Sequence, residues 1–169
     1  MEATLAILNE LEPASLVTRY AIGGALAAFF YAEAVLTEDL DAFILIAPPL
    51  PGQLVTLTPI YEFLKQRGAT EEREHLWLAG TLVQLIPAFD SLTDEAVRDA
   101  ADRVVGQTTT RVMRVEHLIA IALKTGRGKD HARISLLLEE AAVDATQLES
   151  ILQRHHLIPQ WTAFKMKSS

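Results

Sequence analysis

Gly23-Gly24 and Asp39-Leu40-Asp41, 14 residues apart, are the parts of this 169-residue chain whose types and spacing best suit chemistry. A glycine pair between a strand and a helix lets the backbone approach a bound group closely, and the following helix N-terminus offers free N–H groups to an anion. Two aspartates one residue apart on a strand project from the same face, roughly 6.5–7 Å apart along it. Carboxylates so placed can hold hard, oxygen-seeking Mg²⁺ (or Mn²⁺) against a triphosphate. Either pattern alone is ordinary, a tight turn or a solvated strand edge. Their order and helix-length separation make the combination specific.

The surrounding sequence supplies elements that can position them. Residues 2–11 read as a helix closed by Pro13, and residues 17–22 as a strand running into the glycine pair. Residues 25–34 are apolar, small or aromatic except Glu33, which suits a buried helix. Residues 39–46 form a strand with Asp39, Asp41, Phe43 and Leu45 on one face and Leu40, Ala42, Ile44 and Ile46 on the other. Residues 47–52, with three prolines and a glycine, form a loop. Thr58-Pro59 starts a helix that Gly68 ends. Residues 75–78 and 81–86 form a hairpin about Ala79-Gly80. Ser91 or Thr93 caps a helix running to about residue 103, and residues 108–113 form a short strand. The remainder is helical: 116–125, 128–141, and 146–156 with Asp144 as cap and Gln147 three residues on. This predicts an α/β (α+β) chain with a mixed central sheet and a C-terminal helical tail packed on it.

Composition narrows the function classes. Half of the residues are hydrophobic and 22% are charged, which excludes a disordered chain and a membrane bundle. The absence of cysteine excludes disulfides and thiol chemistry and fits a reducing compartment, so a cytoplasmic protein is expected. No basic segment precedes an apolar run near Met1, so no secretory signal is expected. The longest apolar stretch, residues 21–32, is short of the roughly 20 residues that span a bilayer, so no membrane partner is expected. A net charge of −7 argues against nonspecific nucleic-acid binding. Six of the 15 lysines and arginines nevertheless fall between Arg111 and Arg133. Such a patch is either a solvated helix surface or a holder for one small polyphosphate.

The strand, Gly-Gly, helix, Asp-x-Asp order resembles the signature of the nucleotidyltransferase superfamily with the DNA polymerase beta-like core, although the 14-residue gap is at the long end for it. The stretch from Val115 to Ile134, with Lys124, Gly126-Arg127 and Lys129-Asp130, resembles a segment of small bacterial nucleotidyltransferase-like proteins. These include stand-alone domains and the toxins of abortive-infection systems. The resemblance spans residues 15–157. It implies one nucleotidyltransferase-like domain over 1–169, with a catalytic-type core at about 15–114 and a helical tail at about 115–157. It also implies that Gly23 and Gly24 line the phosphates, that Asp39 and Asp41 bind Mg and serve catalysis, and that Lys124, Arg127 and Lys129, with Arg133 as a further member, face the nucleotide or an acceptor. For Lys129-Asp130 the alternative is a charged helix entry favoured by the dipole.

One position departs from the pattern. The superfamily usually supplies a third carboxylate from a central strand, and Gln84 stands at the corresponding place. Glutamine is no general base and is a weaker Mg²⁺ ligand than a carboxylate. Three readings follow: Glu72, Glu74 or Asp90 substitutes, the acceptor needs no base, or catalysis is lost. The implied function is Mg-dependent transfer of a nucleoside monophosphate from an NTP to a hydroxyl of an unknown acceptor (a small molecule, an RNA end or a protein). The alternative is a catalytically impaired nucleotide- or partner-binding module of the same fold, a toxin–antitoxin component among the options. His75, His117 and the His155-His156 pair read as structural, and Trp77 and Trp161 as packing residues.

Overall fold

A computed structural model describes residues 1–33, 39–47 and 56–168. In chain order the elements are α1 (Glu2–Asn9), β1 (Arg19–Ile22), α2 (Gly24–Ala28), β2 (Asp39–Leu45), α3 (Thr58–Lys65), β3 (Thr70–Glu72), β4 (His75–Leu78), β5 (Thr81–Pro87), α4 (Ser91–Arg98), β6 (Ala101–Val105), β7 (Thr108–Val112), α5 (Val115–Thr125), α6 (Gly128–Glu140), α7 (Ala145–Arg154) and α8 (Ile158–Ser168). The seven strands form one sheet in the order β3-β4-β5-β2-β1-β7-β6. Pairing is antiparallel except for β1 with β7 and β2 with β5, so the sheet is mixed. Flanked by helices, it is the α/β architecture expected.

The strand alternation of β2 decides what lies where. Leu40, Ala42 and Ile44 are fully buried on one face, while Asp39 and Asp41 are only partly covered on the other. Helix ends follow local chemistry. Asp144 caps α7 by accepting from the Gln147 amide at 3.0 Å, and Gly126 ends α5 in the left-handed conformation. No helix among the described residues is long and apolar enough to cross a membrane.

Several expectations are corrected. Helix α1 stops at Asn9, and α2 is only five residues long, ending at Ala28. The consecutive Phe29, Phe30 and Tyr31 cannot all share a buried helix face. Phe29 is exposed, and the Tyr31 hydroxyl donates to the Met113 carbonyl at 2.9 Å. Residues 34 and 48–52 of the expected helix and loop lie outside the described residues. The cap of α4 is Asp90, whose carboxylate accepts from the Leu92 and Thr93 amides. That helix stops at Arg98, because residues 101–105 pair as β6 with β7 across a turn at Gly106, φ +63°. Strand β3 and helix α8 were not expected. Rather than lying on the sheet, α5 packs chiefly against α2, α4, α6, α7 and α8.

Candidate nucleotide site

Gly24 starts α2 with φ +62°, a region L side chains rarely adopt. A β-carbon at Gly24 would stand 1.7 Å from Asp41 Oδ2, so only glycine lets the turn sit under this carboxylate. Gly23 serves differently. Its N–H donates to the Asp41 carbonyl at 2.9 Å, and a β-carbon there would meet the Phe43 ring at 2.5 Å. The pair therefore fixes the chain against β2. With α2 so short, the helix dipole expected to draw an anion is small.

Beside Gly24 opens a cavity of ≈ 270 Å³. Its sheet wall is Asp39, Asp41 and Phe43 of β2 with Gln84 and Ile86 of β5. The parallel register sets Asp41 directly beside Gln84 and Asp39 beside Leu82. Opposite, α5 contributes Leu118, Ile121, Ala122 and Thr125, and the α6 entry contributes Arg127, Lys129, Asp130 and Arg133. The two stretches singled out in the sequence thus face each other across one space.

Charge within it is arranged in two layers. Asp130 is almost inaccessible, and its carboxylate accepts from Arg127 Nε at 2.7 Å, from the Arg127 amide at 3.2 Å and from Arg133 Nη1 at 3.5 Å. Burial works against its ionisation, but the Arg127 hydrogen bonds and both guanidinium charges hold its pKa below the usual carboxylate range. Asp41 shows the reverse. Burial and then the charge of Asp39 push its pKa up, and Arg133, His75 and Lys129 only partly offset them. Ionised Asp41 is thus disfavoured by its surroundings.

Lys124, expected to face the nucleotide, is not among the residues lining the cavity. Its Nζ pairs with Asp90 at 3.0 Å, at the start of α4. Asp130 was read as a helix-entry charge, and its buried role as anchor of two arginines was missed, although the i,i+3 spacing to both is visible in the sequence. Trp77, expected as a packing residue, is 47% exposed. His117, read as structural, is buried beside acidic neighbours. Glu95, Asp99 and His117 bring one ligand atom each to within 4.8 Å of one another, a group that could hold a metal ion. Glu95 is already engaged there by Arg154, His155 and His117.

No family model and no curated protein matches the chain. Solved structures do. The antibiotic-resistance factor ANT(2'')-Ia is similar with a TM-score of 0.51 at 15% identity over 99% of this chain and 98% of that one. An antigenic nucleotidyltransferase-like protein from Paracoccidioides brasiliensis is similar with a TM-score of 0.52 at 12% identity over 95% of this chain and 89% of that one. The chain has a nucleotidyltransferase-like fold.

Proposed function

We propose that the protein transfers a nucleoside monophosphate from a nucleoside triphosphate to a hydroxyl of an acceptor. The observation that carries this reading is the cavity that Asp39 and Asp41, the latter packed against Gly24, share with Arg127, Lys129 and Arg133. Two carboxylates side by side on one strand face, one of them (Asp41) with its ionised form made costly by burial and by its neighbour, are a donor set suited to a hard divalent cation. Asp39 and Asp41 would hold Mg²⁺ or Mn²⁺, which when bound neutralises phosphate charge and orients the triphosphate.

The remaining work falls to the chain's own groups. Lys129 and Arg133 supply positive charge on the wall facing the carboxylates, and Asp130 fixes the arginines so that little reorganisation accompanies binding. Phe43, Ile86, Leu118 and Ile121 give the cavity apolar walls that lower the local dielectric and strengthen these contacts. Gln84, beside Asp41, can donate or accept a hydrogen bond but cannot remove a proton.

The test is incubation with each α-labelled NTP and Mg²⁺ or Mn²⁺, with cell extract as acceptor. Transferred label that depends on the divalent ion is expected. NTP binding without transfer would contradict the enzyme reading and favour a binding module of the same fold.

A further inference from the structure

A hydroxyl that attacks phosphorus gives up its proton, and the carboxylates that line the cavity or were candidates from the sequence are engaged or set apart from it. Asp39 and Asp41 form the cation-holding pair of the proposed function, on which this inference rests. Asp130 is held by Arg127 and Arg133 as an ionised anchor. Asp90 caps α4 and pairs with Lys124. Glu74 sits in the turn between β3 and β4.

The strand registers show what stands next to Gln84. Asp41 of β2 pairs with Gln84 of β5. Strands β4 and β5 run antiparallel with Leu76 opposite Val83, so one step further His75 stands opposite Gln84. His75 in turn pairs with Glu72 of β3. Directly opposed residues share a sheet face, so Asp41, Gln84, His75 and Glu72 form a row across four strands, with neighbours about 4.8 Å apart. Burial agrees with this. Leu76 and Leu78 are fully buried behind the sheet, while His75 is half-buried and Trp77 exposed on the face that carries Gln84. His75 stands two strands from Asp41 at the margin of the cavity rather than in its lining, near enough for its charge to act on Asp41. Glu72 lies a strand farther out, at the sheet edge.

We propose that His75 is the general base of the reaction, reaching past Gln84 to the acceptor hydroxyl. The acceptor O–H gives its proton to the imidazole as its oxygen bonds to the α-phosphorus. The bond from the α-phosphorus to the bridging oxygen breaks, and pyrophosphate leaves with the electron pair. The imidazolium then loses its proton to solvent. An imidazole ring nitrogen can accept such a proton and pass it on to solvent.

The experiment compares wild type, H75Q, H75N and H75Q/Q84D in the labelled-NTP transfer assay, with calorimetric NTP affinity and thermal melting measured alongside. A missing base typically costs about 10²–10⁴-fold in rate. Both single variants are therefore expected to lose transfer on that scale while binding NTP as wild type does and melting as it does. Restoring a carboxylate beside Asp41 in H75Q/Q84D is expected to recover part of the rate. Transfer at the wild-type rate in H75Q or H75N overturns the role of His75 and leaves the proposed function standing. A loss of transfer matched by loss of NTP affinity or of melting temperature also overturns it, because His75 is then structural. A wild type that binds no NTP, or transfers none, overturns the proposed function and this inference with it.

Discussion

Asp41 and Gly24 are related by the space a single carbon would fill: a β-carbon on Gly24 would lie 1.7 Å from the Asp41 carboxylate oxygen. The backbone at Gly24, φ +62°, and the position of a half-covered charge on β2 are therefore one structural fact. Gly24→Ala must move Asp41 and also strain the turn, which alone costs roughly 1–2 kcal/mol. The variant is expected to melt about 2–8 °C lower and to lose Mg²⁺-dependent NTP binding, as read by thermal melting and calorimetry.

Asp41→Asn should separate stability from binding. Burial and Asp39 raise the Asp41 pKa, so folding favours its protonated form. Its contribution to stability is fully present below the usual carboxylate range and is lost as pH rises through the raised value. The Asn variant, without metal, should therefore melt at least as high as wild type at neutral pH and show less loss between acid and neutral pH. Its NTP affinity in Mg²⁺ should fall. Melting curves over pH, with and without Mg²⁺, measure both effects.

Glu95 titrates in the opposite sense. Burial alone would raise its pKa, but hydrogen bonds from Arg154, His155 and His117 lower it to about 2. The stability it contributes is present above the unfolded value near 4.3 and is lost as pH falls toward the folded one. Glu95→Gln should cost about 1–2 kcal/mol at neutral pH, allowing for solvent screening, and flatten the acid limb of the stability curve. Denaturant melts from pH 7 to pH 2 read this out. Transfer should persist, since Glu95 on α4 neither lines the cavity nor stands in the strand row of Asp41, Gln84 and His75.

Asp130→Ala removes the acceptor that Arg127 and Arg133 share. Breaking a buried pair by deleting one partner costs roughly 3–5 kcal/mol, and the loss here should fall toward the lower figure because Arg127 reaches solvent. A marked drop in denaturation midpoint and weaker NTP binding are both expected. An unchanged midpoint would show that Asp130 does not anchor α6.

The parts of the site legible in sequence are those set by local rules. The two-residue period of β2 put Asp39, Asp41 and Phe43 on one face, and the glycine pair marked the turn beside them. The cations at Arg127, Lys129 and Arg133 came instead from the resemblance of residues 115–134 to small nucleotidyltransferase-like proteins, and they line the same cavity. What escaped depends on pairing between distant segments. Lys124 turned away because Asp90, 34 positions earlier, caps a neighbouring helix and attracts it. The first three residues of β6 were read as the end of a helix because Ala101, Asp102 and Arg103 have no strong strand preference, and only pairing with β7 decides them. The Gly106-Gln107 turn before Thr108 was the available signal. The His75–Gln84–Asp41 row needs the sheet register, and the meeting of Glu95, His117 and His155 depends on how α4, α5 and α7 pack.

The most direct test of the central claim is calorimetric titration of NTP into wild type and the Asp39→Asn/Asp41→Asn double variant, each with Mg²⁺ and with EDTA. The account predicts that wild type binds NTP in Mg²⁺ and only weakly in EDTA. The double variant should show the weak binding under both conditions while melting no lower than wild type. Equal NTP affinity in wild type and the double variant in the presence of Mg²⁺ would contradict it.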